Sequence, residues 1–195
     1  VPAGGLKASK STFLFLFTLN LLIMEWSWAE ERWLEASRLF DENRLSEARA
    51  ILEEILEIEP GYGRAHSFMG WYFYTHLRDY RSATHHLELA IRFAPEYAPG
   101  YFHLVMVLME RRMYGRLYEV AGLALEVDGT DDEWLWEMRG NAMERIGRFA
   151  AARDAYERGI ACTTNDEVMA RLRCGVRRVR TRHRERRGWL ASLFI

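Results

Sequence analysis

Residues 63–97 read GRAHSFMGWYFYTHLRDYRSATHHLELAIRFAPEY, and the fold is decided there. The stretch divides at Asp79-Tyr80 into two helical halves, about 63–77 and 80–94. Gly70 and Ala90 are small enough to let those helices approach closely. Phe73 and Leu87 fill the space beside them, as a close-packed interior requires. Pro95 cannot continue a helix, so it ends the second one and turns the chain.

The unit recurs on both sides. One column reads Leu45, Tyr80, Tyr114 and Phe149, at spacings of 35, 34 and 35. Three residues on come Ala48, Ala83, Leu117 and Ala152, and twelve beyond those come Pro60, Pro95, Gly129 and Thr164. An earlier column is Ala36, Gly70, Val105 and Gly140, followed three on by Leu39, Phe73, Leu108 and Met143. Five columns that keep nearly one period over four cycles mark an internal repeat. Helices are expected at 29–41 and 45–58, 63–77 and 80–94, 98–111 and 114–127, and 132–146 and 149–162. Thr130 or Asp131 is placed to cap the seventh. One pair cannot bury its apolar face alone, so the pairs must stack.

Period and residue types resemble the tetratricopeptide repeat, a pair of antiparallel helices of about 34 residues. The second cycle matches best, with Gly70, Phe73, Ala83, Leu87, Ala90 and Pro95. The fourth has Trp136, Gly140, Met143, Ala152, Tyr156 and Gly159, and the first has Ala36, Leu39, Ala48, Leu52, Ile55 and Pro60. The third departs, with Leu117 in place of Ala and Gly129 in place of Pro. The resemblance spans about 135 of the 195 residues. It implies an all-α, right-handed superhelical solenoid of antiparallel helix pairs with a C-terminal capping helix. The division it suggests is an N-terminal segment 1–28, repeats at 29–62, 63–97, 98–132 and 133–166, an Arg-rich cap 167–187 and an apolar tail 188–195.

A binding surface is implied too. In this family the first helix of each repeat, helix A, lines a concave groove through its second, fifth, ninth, twelfth and thirteenth positions. Carried over, repeat one supplies Glu30, Trp33, Ser37, Phe40 and Asp41, and repeat two Arg64, Ser67, Trp71, Tyr74 and Thr75. Repeat three supplies Pro99, Phe102, Met106, Met109 and Glu110, and repeat four Trp134, Glu137, Asn141, Glu144 and Arg145. The candidate partner-binding residues are Trp33, Ser37, Phe40, Trp71, Tyr74, Phe102, Met106 and Met109. Aromatic residues and Met are enriched at interface centres, and an apolar patch of this extent marks a binding site or a covered one. Relatives that bind the acidic tails of heat-shock chaperones use a Lys/Asn/Arg clamp. Here Trp33, Ser37 and Trp71 stand at those positions, which excludes that clamp. The implied partner is a protein or peptide, with no cofactor.

A net charge of −1 hides an asymmetry. Residues 167–195 hold nine Arg and two Glu, +7, which leaves −8 for residues 1–166. Val168, Met169, Leu172, Val176 and Val179 recur at helical spacing, so a ninth helix is expected at about 166–186, weakened by Gly175. Trp189, Leu190, Leu193, Phe194 and Ile195 follow. Three readings stay open for this tail: a solvated helix paired with the acidic repeats, a contact with an anionic membrane, or a contact with nucleic acid.

At the other end Phe13 to Met24 is apolar over about 12 residues, short of the ~20 that span a bilayer. With Lys7 and Lys10 before it and Ser27-Trp28-Ala29 after, it has the outline of a secretory signal or anchor. Met24 is a natural start that would leave the segment out. A third reading is a helix lying in the chain's own groove or in that of a second copy, which would make a homo-oligomer. A cytoplasmic location is the favoured expectation, and a membrane-anchored or exported one follows if residues 1–29 act as a signal or anchor.

Chemistry is poorly represented. The chain lacks a Gly-rich phosphate loop, a His-Glu-x-x-His pair and a nucleophile elbow. Its six His lack ligand spacing: His66 stands where the family has a packing Trp, His85 and His86 point apart, and His103 lies near the groove. Cys162 and Cys174 are isolated and read as reduced, partly buried thiols. The residues favour a non-catalytic interaction scaffold. The alternatives are a membrane-associated assembly factor tethered by its termini and a secretion-type chaperone holding an apolar client segment.

Overall fold

The computed structural model describes residues 28–192, with side chains through Arg186. The apolar segment 13–24, expected to anchor the chain or fill a groove, lies outside the described residues. The described part is helical: α1 (28–41), α2 (Leu45–Ile58), α3 (Gly63–Tyr72), α4 (Tyr80–Phe93), α5 (Ala98–Glu110), α6 (Tyr114–Ala124), α7 (Asp132–Arg145), α8 (Phe149–Cys162) and α9 (Asp166–Ser192). From α2 onward each helix packs on its neighbour in the chain, and α3 also meets α5, as α7 meets α9.

Four tight turns join A helix to B helix, and one backbone device serves all of them. Asn43, Arg78, Arg112 and Gly147 sit in the left-handed region, with φ of 59°, 54°, 56° and 74°. Each lies two residues before Leu45, Tyr80, Tyr114 or Phe149. The next N–H then reaches back to a carbonyl of the helix just ended: Arg44 to Leu39 (2.8 Å), Met113 to Leu108 (2.9 Å) and Arg148 to Met143 (2.8 Å). Carbonyls left over at a helix end are satisfied this way.

The second turn differs. Asp79 N–H reaches Phe73, six residues back rather than five, at 3.0 Å. The expected regular helix 63–77 is α-helical only to Tyr72, and a π-helical turn covers Phe73–Leu77. The cause is one surplus residue. Gly70 precedes Tyr80 by ten positions, whereas Ala36–Leu45, Val105–Tyr114 and Gly140–Phe149 are separated by nine. A π turn absorbs an inserted residue without breaking the helix. Helix α6 stops at Ala124, short of the expected 127, and the Thr130 hydroxyl closes the turn by donating towards the carbonyls of Ala124 (3.1 Å) and Val127 (3.0 Å). Asp131, not Thr130, caps α7, accepting from Trp134 N–H at 2.9 Å.

Close approach holds the pairs together. A Cβ at Gly70 would stand 2.5 Å from Leu87 Cγ, and one at Gly140 would run into the Tyr156 ring. Gly175 of α9 presses on the same ring from the other side, where a Cβ would stand 2.9 Å away. The glycine that weakens α9 in isolation is therefore what lets α9 reach Tyr156. Ion pairs 34 residues apart join consecutive A helices: Arg64–Glu30 (2.6 Å), Arg171–Glu137 (2.8 Å) and Arg178–Glu144 (2.7 Å). Helix α9 thus takes the place of a fifth A helix, and it continues to Ser192, past the expected end near 186. Its buried Leu172, Val176 and Val179 join the core formed by α4 to α8. A second cluster unites α1 and α2 with Tyr62, Ala65 and Met69.

Gly140→Ala should lower stability by about 1–3 kcal/mol, the usual cost of forcing an extra methyl into a packed contact. Gly115→Ala, with nothing within 4 Å of the new Cβ, should change it by less than ~1 kcal/mol. Urea unfolding midpoints of the two variants measure the difference.

Candidate functional site

Helices α1, α3, α5 and α7 present a run of aromatic rings from one repeat to the next. Trp33 meets Phe68 edge-on at 5.8 Å, Phe68 meets Phe40 at 5.1 Å, and Phe40 meets Trp71 at 5.3 Å. The run continues through His103, 6.3 Å from Trp71, to Phe102 at 5.6 Å and Trp134 at 4.8 Å. These centroid distances are those of favourable aromatic pairs.

Two hollows open beside the run and share Pro99. The first, about 330 Å³, is lined by Phe40, Asp41, Phe68, Trp71, Tyr97 and His103. The second, about 280 Å³, is lined by Ala98, Tyr101, Phe102, Ala124, Trp134 and Leu135, with the α6–α7 turn at its edge.

The eight candidate residues do not converge on one point. Phe40 and Trp71 line the first hollow, and Phe102, 47% exposed, lines the second. Trp33 is half-buried at the start of the run, its indole N–H buried without a partner. Ser37 is half-buried on α1, outside both hollows. Tyr74 turns to Tyr80, 6.1 Å away, and packs on the core. Met106 and Met109 are half-buried and line neither hollow, and Met109 packs against the core. Among the wider groove positions, Ser67 is buried and Glu30 is held by Arg64 and the Tyr62 hydroxyl (2.7 Å). Phe68 and Tyr97 were not among the expected lining residues. Phe68 stands one residue from the position carried over to Ser67, and Tyr97 lies in the turn before α5, where helix-position rules do not reach.

Two inner positions of the fourth repeat, Glu137 and Glu144, are already covered. Glu137 is held by Arg171, and Glu144, with 5% of its side chain exposed, takes Arg178 and Arg182, each at 2.7 Å. The Tyr156 hydroxyl donates to Glu144 at 2.9 Å. Burial pushes the Glu144 carboxyl up, but hydrogen bonds from Arg178 and Tyr156 and the charges of both arginines outweigh it, so it titrates below the usual range. Arg180 pairs with Glu157 (3.0 Å), while Arg173, Arg177 and Arg184 make no ion pair among the described residues. Much of the basic tail thus neutralises the acidic repeats.

His66 and His86 pack against each other. His66 Nε2 donates to Pro60 O at 2.9 Å, which leaves its Nδ1 to accept from His86 Nδ1–H at 3.0 Å. Protonating His66 at Nδ1 would set two donors face to face in this arrangement, and burial lowers both pKa values, that of His86 to about 4. Among the described residues no cluster of three or more His, Cys, Asp or Glu is placed to hold a metal, and no helix is long and apolar enough to cross a membrane. Cys162 and Cys174 are exposed, not partly buried as expected. One ends α8, and the other lies on the outer face of α9, away from the core stripe.

The chain has the tetratricopeptide-repeat fold, an all-α right-handed solenoid of antiparallel helix pairs. It superposes on YrrB, described as a tetratricopeptide-repeat protein with an unusual peptide-binding site, with a TM-score of 0.65 at 19% identity, over 77% of this chain and 75% of that one. For PilF of Pseudomonas aeruginosa the values are 0.63, 16%, 83% and 71%. For PilW, described as a widely conserved type IV pilus biogenesis factor, they are 0.59, 16%, 76% and 70%. By sequence, no family model and no curated protein matches.

His103 lies in the wall of the first hollow, its Nδ1 buried without a partner, and burial lowers its pKa to about 4. The unfolded chain has it near 6.5. Its contribution to stability is whole above pH ~6.5 and is lost as the pH falls from there towards 4, because the unfolded chain binds the proton first. An NMR titration should find the His103 ring neutral at pH 5.5.

Proposed function

We propose that this chain is a non-catalytic interaction scaffold that binds a peptide or helix of a partner protein along the aromatic run of its A helices. The observation that carries this reading is the unbroken sequence of rings from Trp33 to Trp134, flanked by two open hollows. Rings fixed on helices offer apolar contact at little cost in conformational entropy, as interface anchors do. A segment of a partner would lay one side chain in each hollow. The peptide-binding site named for YrrB and the pilus-biogenesis role named for PilW support a reading of this kind. The chain's own N-terminal segment, or that of a second copy, is the competing occupant.

A membrane-associated assembly factor is the second reading. One observation favours it: Arg173, Arg177 and Arg184 lie along α9 without ion-pair partners among the described residues. Retention on anionic vesicles that falls with salt would support it, and no retention at low salt would remove it.

Panning a random twelve-residue peptide display library on the full chain tests the first reading. Enriched peptides should shift the indole N–H resonances of Trp71 and Trp134. The double variant Trp71→Ser/Phe102→Ser should weaken them at least about tenfold, the loss of one or two anchors. Enriched peptides that bind this variant unchanged, or a library that enriches nothing, would remove the reading.

A further inference from the structure

We propose that the first hollow is a cation box, receiving the ammonium or guanidinium of a Lys or Arg side chain carried by the segment bound along the aromatic run. The inference rests on the scaffold reading above and adds the chemistry of its partner.

Four rings line the hollow, Phe40, Phe68, Trp71 and Tyr97, and Asp41 stands at its edge. Aromatic faces carry the negative part of the ring quadrupole and attract a cation placed over them. Asp41 is exposed and makes no ion pair among the described residues, so its charge is uncompensated. Arg64 and His103, charged and titratable groups beside the rings, do not oppose a cation. Arg64 is balanced by Glu30 at 2.6 Å. His103 is neutral at pH 7, since burial holds its pKa at about 4. His76 is exposed and meets Trp71 edge-on at 5.4 Å. The fixed charge facing the hollow is therefore that of one carboxylate.

The same surface already takes cations from its own chain. The Arg64 guanidinium lies over the rings of Trp33 (5.1 Å) and Tyr97 (5.7 Å). Farther along, Glu137 and Glu144 hold Arg171, Arg178 and Arg182 of α9. Aromatic and acidic groups at inner positions of the A helices thus accept arginine wherever the chain supplies one. In the Phe40–Trp71 hollow Arg64 takes only the Tyr97 ring, and among the described residues no arginine lies over Phe40, Phe68 or Trp71 or pairs with Asp41.

The second hollow differs in kind. Its lining carboxylate, Asp131, is committed to the α7 cap through Trp134 N–H at 2.9 Å, and the rest of its wall is mainly apolar. It suits an aliphatic or aromatic side chain. Because both hollows share Pro99, the basic and apolar residues of a partner must lie close together, the basic one towards α1.

The display experiment separates this inference from the reading beneath it. Peptides enriched on the full chain should align with a Lys or Arg at one position and an apolar residue near it. Replacing that basic residue by norleucine in a synthetic copy should weaken binding about tenfold by calorimetry, the range expected for a cation over desolvated rings beside a carboxylate. Asp41→Asn should shrink that preference about threefold and leave the norleucine peptide's affinity unchanged. Enriched peptides that shift Trp71 but carry no basic residue, or that bind equally well with norleucine, would overturn the cation box and leave the scaffold reading standing. Absence of any enriched peptide would overturn both.

Discussion

The C-terminal half of the molecule turns on one aromatic ring held between two glycines. Tyr156 of α8 lies against Gly140 of α7 on one side and Gly175 of α9 on the other, and a Cβ at either glycine would meet the ring. Its hydroxyl donates to Glu144, which also takes Arg178 and Arg182. Steric fit and a buried charge network therefore meet at one side chain. Repeat two has the apolar version, with Leu87 against Gly70. In both, a large residue of helix B needs a missing side chain on helix A, and the spacing between the helices follows from that need.

The same requirement shapes the outer wall. A helix that presents glycine and alanine to its own partner has other faces to fill. In α1, α3, α5 and α7 one of these carries Trp33, Phe40, Phe68, Trp71, Phe102 and Trp134. Over three repeats nothing in the described chain lies across the two hollows. In the fourth, the arginines of α9 reach Glu137 and Glu144 and close the row. The wall is thus divided by its own chain into a covered end and an uncovered one.

Much of the architecture was legible because it is periodic. The five columns located eight helices, and the helices found begin within a residue of the positions read from them. The ninth helix was visible in Val168, Leu172 and Val179. The π turn was encoded too, in the ten-residue step from Gly70 to Tyr80, but a spacing of one residue does not say whether a turn or a helix absorbs it. The binding wall was legible only in part. Position rules named Phe40, Trp71 and Phe102, whereas Phe68 and Tyr97 enter through helix rotation and a turn, which vary within a repeat. Tyr74 and Met109 were drawn inward by the core, because a half-buried apolar side chain follows the larger contact.

Helix α9 also changes the character of the face that an A helix offers. One repeat earlier, Trp136, Gly140 and Met143 form the seat on which α8 rests, and Gly140 and Met143 are buried beneath it. Thirty-four positions on, that seat is Ala170, Cys174 and Arg177, all facing solvent, with Arg173 exposed beside them. Hydrated guanidinium groups there would be stranded by another helix laid on top. The outer face of α9 is therefore wettable where the matching face of α7 is covered by its partner helix.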